Sequence, residues 1–183
     1  MFGDAVGPGQ IAVAEWLDTA CAGAWGTVGA LVPNDYEALL RVEAPPGDVD
    51  DWWPIYRDLY DAIASVGAAH TSTPGRAWYA IWEGHGYDTE GLDSIPLIDR
   101  PHRRHYFLTG PVAAINGLQY PGWDGWRNPD LFWPDDRRWF VATDVDFWSL
   151  FIGGSSAFVS EVAACVPTKV EPVTLDTKLP IEL

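Results

Sequence analysis

Residues 138 to 154, RWFVATDVDFWSLFIGG, set two aspartates, Asp144 and Asp146, inside an otherwise apolar run. Carboxylates this close can hold one cation or divide into an acid and a base, provided that they share a face. Strand alternation gives them one: Trp139, Val141, Thr143, Val145 and Phe147 point one way, and Phe140, Ala142, Asp144, Asp146 and Trp148 the other. No partner histidine or third acid accompanies the pair, and nothing nearby has the spacing of a calcium loop. The expected role is therefore the solvent face of a half-buried strand, with no metal bound. The competing chemistry is hydrolysis, carbohydrate-active or metal-assisted, by Asp144 and Asp146 together with Glu83.

Other candidate groups are sparser. His102 and His105, in PHRRHYF, have ligand-like spacing only on a helix, and this stretch reads as extended. Arg100, Arg103 and Arg104 beside them suit gripping a carboxylate or neutralising part of an acidic field. His70 and His85 fall in loops without evident partners. Cys21 and Cys165 belong to no CxxC or nucleophile motif and are expected as two buried thiols, a disulfide between the chain ends being the alternative. The common nucleotide-binding, serine-hydrolase and zinc-protease signatures are absent. No cofactor is expected.

The 11 tryptophans form a second chemical resource, since indoles both fill cores and anchor interfaces. Trp78, Trp82, Trp139 and Trp148 lie in strand-like runs and are expected in the core. For Trp123, Trp126 and Trp133, in QYPGWDGWRNPDLFWPDD, core and interface remain equally open.

Charge restricts the partners. With 26 acidic and 11 basic residues among 183, the formal net charge is −15, which repels a phosphate backbone or an anionic membrane and attracts a basic protein. The acidity is clustered: from residue 35 to residue 61, Asp35, Glu37, Glu43, Asp48, Asp50, Asp51, Asp58 and Asp61 face only Arg41 and Arg57. The start, MFGDAVGPGQ, lacks the basic and apolar regions of a leader, and no run is apolar for long enough to span a bilayer. A cytoplasmic protein is expected, binding neither membrane nor nucleic acid.

The elements that must position these groups follow from periodicity. Helical spacing runs from Gln10 to about Ala22 and, with a wide apolar stripe, from about Asp51 to Val66; Pro33-Asn34-Asp35 opens a short helix ending near Val42. RAWYAIW and RRHYFLTGP read as strands, Val112 to Asn116 as a short helix, and residues 119 to 136 as a long Trp-pinned loop. Two strands follow, the second through Leu150-Phe151-Ile152, then a Gly-Gly turn and a helix capped by Ser155 or Ser156. The result is an α+β fold, a mostly antiparallel sheet with helices packed on one face. One domain over residues 1–166 and an extended C-terminal tail over 167–183 are expected.

At VGALVPNDYEALLRV the chain resembles SUKH-superfamily proteins, in which an LP turn leads into a helix carrying an aromatic and leucines, here Val32-Pro33 with Tyr36, Leu39 and Leu40. WFVATDVDFWSLFIGG and the helix after it are similar to the late strands and terminal helix of that superfamily. The arrangement of WEG, PHRRHYFLTGP and LFWPDDRRWFVATDVDFWSLFIGGS also resembles a group of uncharacterised actinobacterial proteins. The chain departs from the SUKH pattern where EAPPG replaces a glycine pair and in its long Trp-rich loop. The resemblance implies an immunity protein that neutralises a toxin domain by binding it, a role for which an acidic surface suits a basic partner. The contacts expected are Asp48, Asp50, Asp51, Asp58, Asp61, Asp124, Asp130, Asp135 and Asp136, with Trp123, Trp126 and Trp133.

Overall fold

The structure, a computed structural model, describes residues 4–5, 12–43, 49–85, 95, 97–100, 103–118 and 128–180. In chain order the elements are β1 (Asp4–Ala5), α1 (Ala12–Ala20), β2 (Ala38–Val42), α2 (Val49–Ala69), β3 (Ala77–Trp82), β4 (Leu97–Arg100), β5 (Arg103–Gly110), β6 (Leu131–Pro134), β7 (Trp139–Asp144), β8 (Phe147–Gly154), α3 (Ser156–Cys165) and β9 (Val170–Val173). The strands make one antiparallel sheet in the order β1-β5-β3-β6-β7-β8-β2-β9. β4 shares an edge of β5 with β1: it pairs with Arg103 to Tyr106, and β1 with Leu108 and Thr109. The fold is α+β in a single domain, as the patterning indicates, but α1 packs on the face opposite to α2 and α3, which corrects the expectation of helices on one face.

Both faces of the sheet are covered, which is why AWYAIW and WFVAT read as nearly continuous apolar runs rather than as alternating ones. Tyr79, Val141, Leu150 and Ile152 meet the apolar stripe of α2 (Tyr56, Leu59, Tyr60, Ile63) and α3 (Phe158, Val162). α2 and α3 are further tied by His70 Nε2 and Glu161 Oε2, 2.7 Å apart, so His70 has a partner that its loop position concealed. The opposite face, built on Trp78, Phe107, Trp133, Phe140 and Phe151, is covered by Leu17 of α1 and by Val28 and Val32 of the segment after it. Side chains on both sides of one sheet therefore exclude water.

Three elements differ from the sequence reading. The stretch expected as a helix to Val42 is strand β2, inserted between β8 and β9, with Leu40 and Val42 facing α2. Its apolar spacing fits either period, and pairing on both edges decides for the strand. Within the expected loop of residues 119–136, β6 is a fully buried strand between β3 and β7. The Gly-Gly "turn" is the end of β8, where the Tyr36 ring packs on Gly153 and the Phe158 ring on Gly154 so closely that a Cβ would stand 2.5 Å from a ring carbon in either case.

The C-terminal tail is extended and belongs to the body. β9 edges the sheet, and beyond it Thr177 O accepts from Val28 N, Leu175 O accepts from Gly29 N, and Leu179 N donates to Gly26 O. Residues 174–179 thereby strap the segment that covers the second face. Cys165 is exposed and Cys21 half-buried, neither in a disulfide, which corrects the expectation of two buried thiols. No helix among the described residues is long and apolar enough to cross a membrane.

Candidate functional site

Strand alternation places Trp82, Arg103, His105 and Asp144 at one end of the sheet, on the face that also bears Phe107, Ala142 and Leu131. Arg103 organises this end. Its Nε donates to Asp144 Oδ2 at 2.7 Å and its Nη2 to Asp144 Oδ1 at 2.6 Å, a two-pronged grip, while Nη2 also donates to Asp146 Oδ2 at 2.8 Å. The guanidinium lies 4.4 Å from the centroid of the Trp82 ring. Burial alone would lower the Arg103 pKa, but the Asp144 hydrogen bond and the charges of Asp144, Asp146 and Asp130 outweigh it and hold the group above its ordinary value.

The two aspartates do come together, but not as neighbours on one strand face. β7 ends at Asp144, and Val145 and Asp146 form the hairpin turn before Phe147, which pairs with Asp144. Asp146 N donates to Asp144 Oδ1 at 3.0 Å, so the first carboxylate also braces the turn. The expectation of a solvent-facing pair is corrected for Asp144, whose side chain is 12% exposed, and holds only for Asp146 at 49%. With both Asp144 oxygens engaged by arginine, the pair has the surroundings of an ion-pair network rather than of a metal site. Among the described residues no group of three or more His, Cys, Asp or Glu could hold a metal ion.

Glu83, the third carboxylate of the hydrolase reading, is held separately: Arg104 Nε donates to its Oε1 at 2.6 Å. Arg104 projects from the face of β5 opposite to Arg103, so Glu83 does not join the aspartates around one cleft. The residues expected to meet a partner divide into buried and exposed sets. Asp130 is 4% exposed; its Oδ2 accepts from Trp82 N at 2.6 Å and His85 Nε2 lies 3.1 Å from its Oδ1, so it caps the end of β3 and is corrected from a contact to an internal brace. The same pair supplies His85 with the partner that the sequence did not show. Trp133, at 0% exposure, is likewise corrected to core, stacked on Trp78 and Phe140 with ring centroids 6.5 and 5.4 Å away.

Asp135 accepts from Trp78 Nε1 at 2.8 Å, and Asp136 accepts from Thr71 Oγ1, Ser72 N and Ser72 Oγ at 2.7 to 2.8 Å; both organise turns while half-buried. Asp58 and Asp61 are exposed on α2, three residues apart and thus on one helix face. Asp50 and Asp51 lie in the first turn of α2. Asp48, Trp123, Asp124 and Trp126 lie outside the described residues.

A cleft of about 250 Å³ opens where this sheet end meets the covering segment. Arg103, His105, Thr143 and Asp144 form its floor with Leu131, while Leu17, Asp18, Cys21 and Leu31 form the opposite wall. Trp25 also lines it and is the most exposed large apolar side chain among the described residues, at 59%. Cys21 Sγ donates to Leu31 O at 3.4 Å, which closes the wall on itself. The sequence reading missed Asp18, Trp25 and this role of His105. An indole isolated in a glycine- and alanine-rich loop, CAGAWGTVGA, was the one available signal.

Fold and site together define an α+β single-sheet protein with a small open cleft beside an arginine-centred ion-pair network. Comparison with protein-family profiles, curated proteins and solved structures found no match.

Proposed function

We propose that the protein is a non-catalytic acidic binding module that takes a basic protein partner and neutralises it by direct contact, the partner being a toxin domain in the immunity reading suggested by the SUKH resemblance. The observation that carries this reading is how the charges are used. Arg41, Arg76, Arg103, Arg104 and Lys169 are each paired with a carboxylate of the same chain, whereas Asp18, Asp35 and Asp58 are exposed. Internal pairing matches these cations one for one and leaves the chain's acidic excess, −15 in all, without enough cations to neutralise it, the condition for fast, salt-sensitive capture of a basic surface.

The alternative chemistry has less support. General acid catalysis needs a carboxyl free to deliver its proton to a substrate, and both Asp144 oxygens already accept from Arg103, as does Glu83 Oε1 from Arg104. Pull-down with the product of the neighbouring gene tests the proposal. A complex should form at about 0.1 M salt and weaken steeply toward 1 M, where the screening length falls from about 10 Å to about 3 Å. Failure to form any complex, together with failure to relieve that product's toxicity, would refute it.

A further inference from the structure

We infer that the cleft is a socket for a single guanidinium or ammonium group on an aliphatic stem, the side chain of an arginine or lysine; as a contact with the partner, this rests on the binding reading above. Size is the first argument. At about 250 Å³ the cleft is below the range of about 300–1,000 Å³ typical of small-molecule and cofactor sites, and suits one long side chain.

Its chemistry selects the charge. Leu17, Leu31 and Leu131 offer apolar wall for a methylene stem. Arg103 lines the cleft, but Asp144 beside it matches its charge, and Asp18, exposed and also lining the cleft, adds an unmatched negative charge there; Asp146, bonded to Arg103 but not part of the lining, adds a second nearby. A carboxylate or phosphate entering here meets net repulsion, and a cation meets attraction. Trp25, 59% exposed and lining the cleft, supplies an indole at which a cation gains further attraction, more readily as a guanidinium than as an ammonium.

The test uses the full chain and two probes of nearly equal shape, N-acetylarginine amide and its neutral analogue N-acetylcitrulline amide, followed by amide chemical shifts. Arginine amide should move residues 17–31, 103–105 and 143–144 with millimolar affinity, and citrulline amide should bind at least about fivefold more weakly. Asp18→Asn and Trp25→Ala, both at exposed positions and each checked for an unchanged thermal unfolding curve, should each weaken arginine amide roughly two- to fivefold, the size of one exposed ion pair or cation–π contact. Asp58→Asn with Asp61→Asn, on α2, should leave it unchanged.

Equal binding of the two probes, or shifts spread over α2 and unaffected by Asp18→Asn, would overturn the socket. The same variants separate this inference from the reading beneath it. A partner complex undiminished in both Asp18→Asn and Trp25→Ala overturns the socket while the binding module stands. Arginine amide seated in the cleft of a protein that captures no basic partner upholds the socket and removes the partner.

Discussion

Replacing Arg103 by methionine keeps most of the stem and removes the charge that holds two carboxylates together. The side chains of Arg103 and Asp144 are only 18% and 12% exposed, so their two-pronged bond is shielded from water, whereas Asp146, at 49%, is the weaker surface partner. Removing one member of a buried pair costs about 3–5 kcal/mol, and a bond to a charged group about 1.5–3; at this intermediate burial the expected loss is about 2–4 kcal/mol. For a chain of this size that lowers the Tm by roughly 5 to 15 °C. Urea unfolding and thermal circular dichroism at pH 7 measure both quantities. Asp144→Asn in the same background should recover part of the loss, because replacing both partners leaves no buried charge stranded, and the double-mutant cycle should give a coupling of about 1–3 kcal/mol. A single-variant loss under about 1 kcal/mol, or additivity within about 0.5 kcal/mol, would refute the view that this ion pair organises the sheet end.

Three further outcomes follow from the packing. Gly67→Ala in α2 would ordinarily gain up to about 1 kcal/mol of helix propensity, but the new Cβ would lie 2.6 Å from the rigid Trp139 ring, whose Nε1 donates to Gly67 O; a net loss of about 1–3 kcal/mol in urea unfolding is expected, and a gain would refute it. Ending the chain at Val173 removes three backbone hydrogen bonds to residues 26–29, so stability should fall by about 3 kcal/mol and the Val28 and Gly29 amides should lose exchange protection; unchanged protection would show that the strap is not holding the segment. For Asp136, burial favours the neutral acid, but hydrogen bonds from Thr71, Ser72 and the Arg138 amide prevail and hold its pKa below the ordinary 3.8. Its folded value being the lower one, Asp136 stabilises above pH 3.8 and loses that contribution as pH falls through the folded value, so the deficit of Asp136→Ala should be constant from pH 7 to 5 and narrow only below 3.8; a deficit as large at pH 2.5 as at pH 7 would refute the assignment.

What could be read locally was read well. The stripe Tyr56, Leu59, Tyr60, Ile63 is α2, the aromatic-rich run AWYAIW is β3, and Ser155 caps α3 by accepting from Phe158 N. β2 was misread because Tyr36, Leu39 and Leu40 satisfy a helical spacing equally well, and the choice was made by β8 and β9, more than 100 residues away in the chain. Pro134 and Pro129 made the surroundings of β6 look irregular, yet three consecutive apolar residues between them were enough for a short strand once β3 and β7 stood on either side. Trp133 illustrates the same limit, since an indole in a polar stretch is core or interface according to what lies over it.

Composition and periodicity by themselves determined the acidic character, the α+β class, the main helix and the two-faced strand that carries Asp144. They could not determine which charges are spent inside the molecule. That depends on Arg103 reaching a turn 41 residues later, and on a strap from residues 174–179 holding Trp25 and its loop over the sheet. Local spacing encodes which face a side chain takes. Only the assembled sheet decides what stands opposite that face, and with it whether a carboxylate is exposed to a partner or already matched by an arginine.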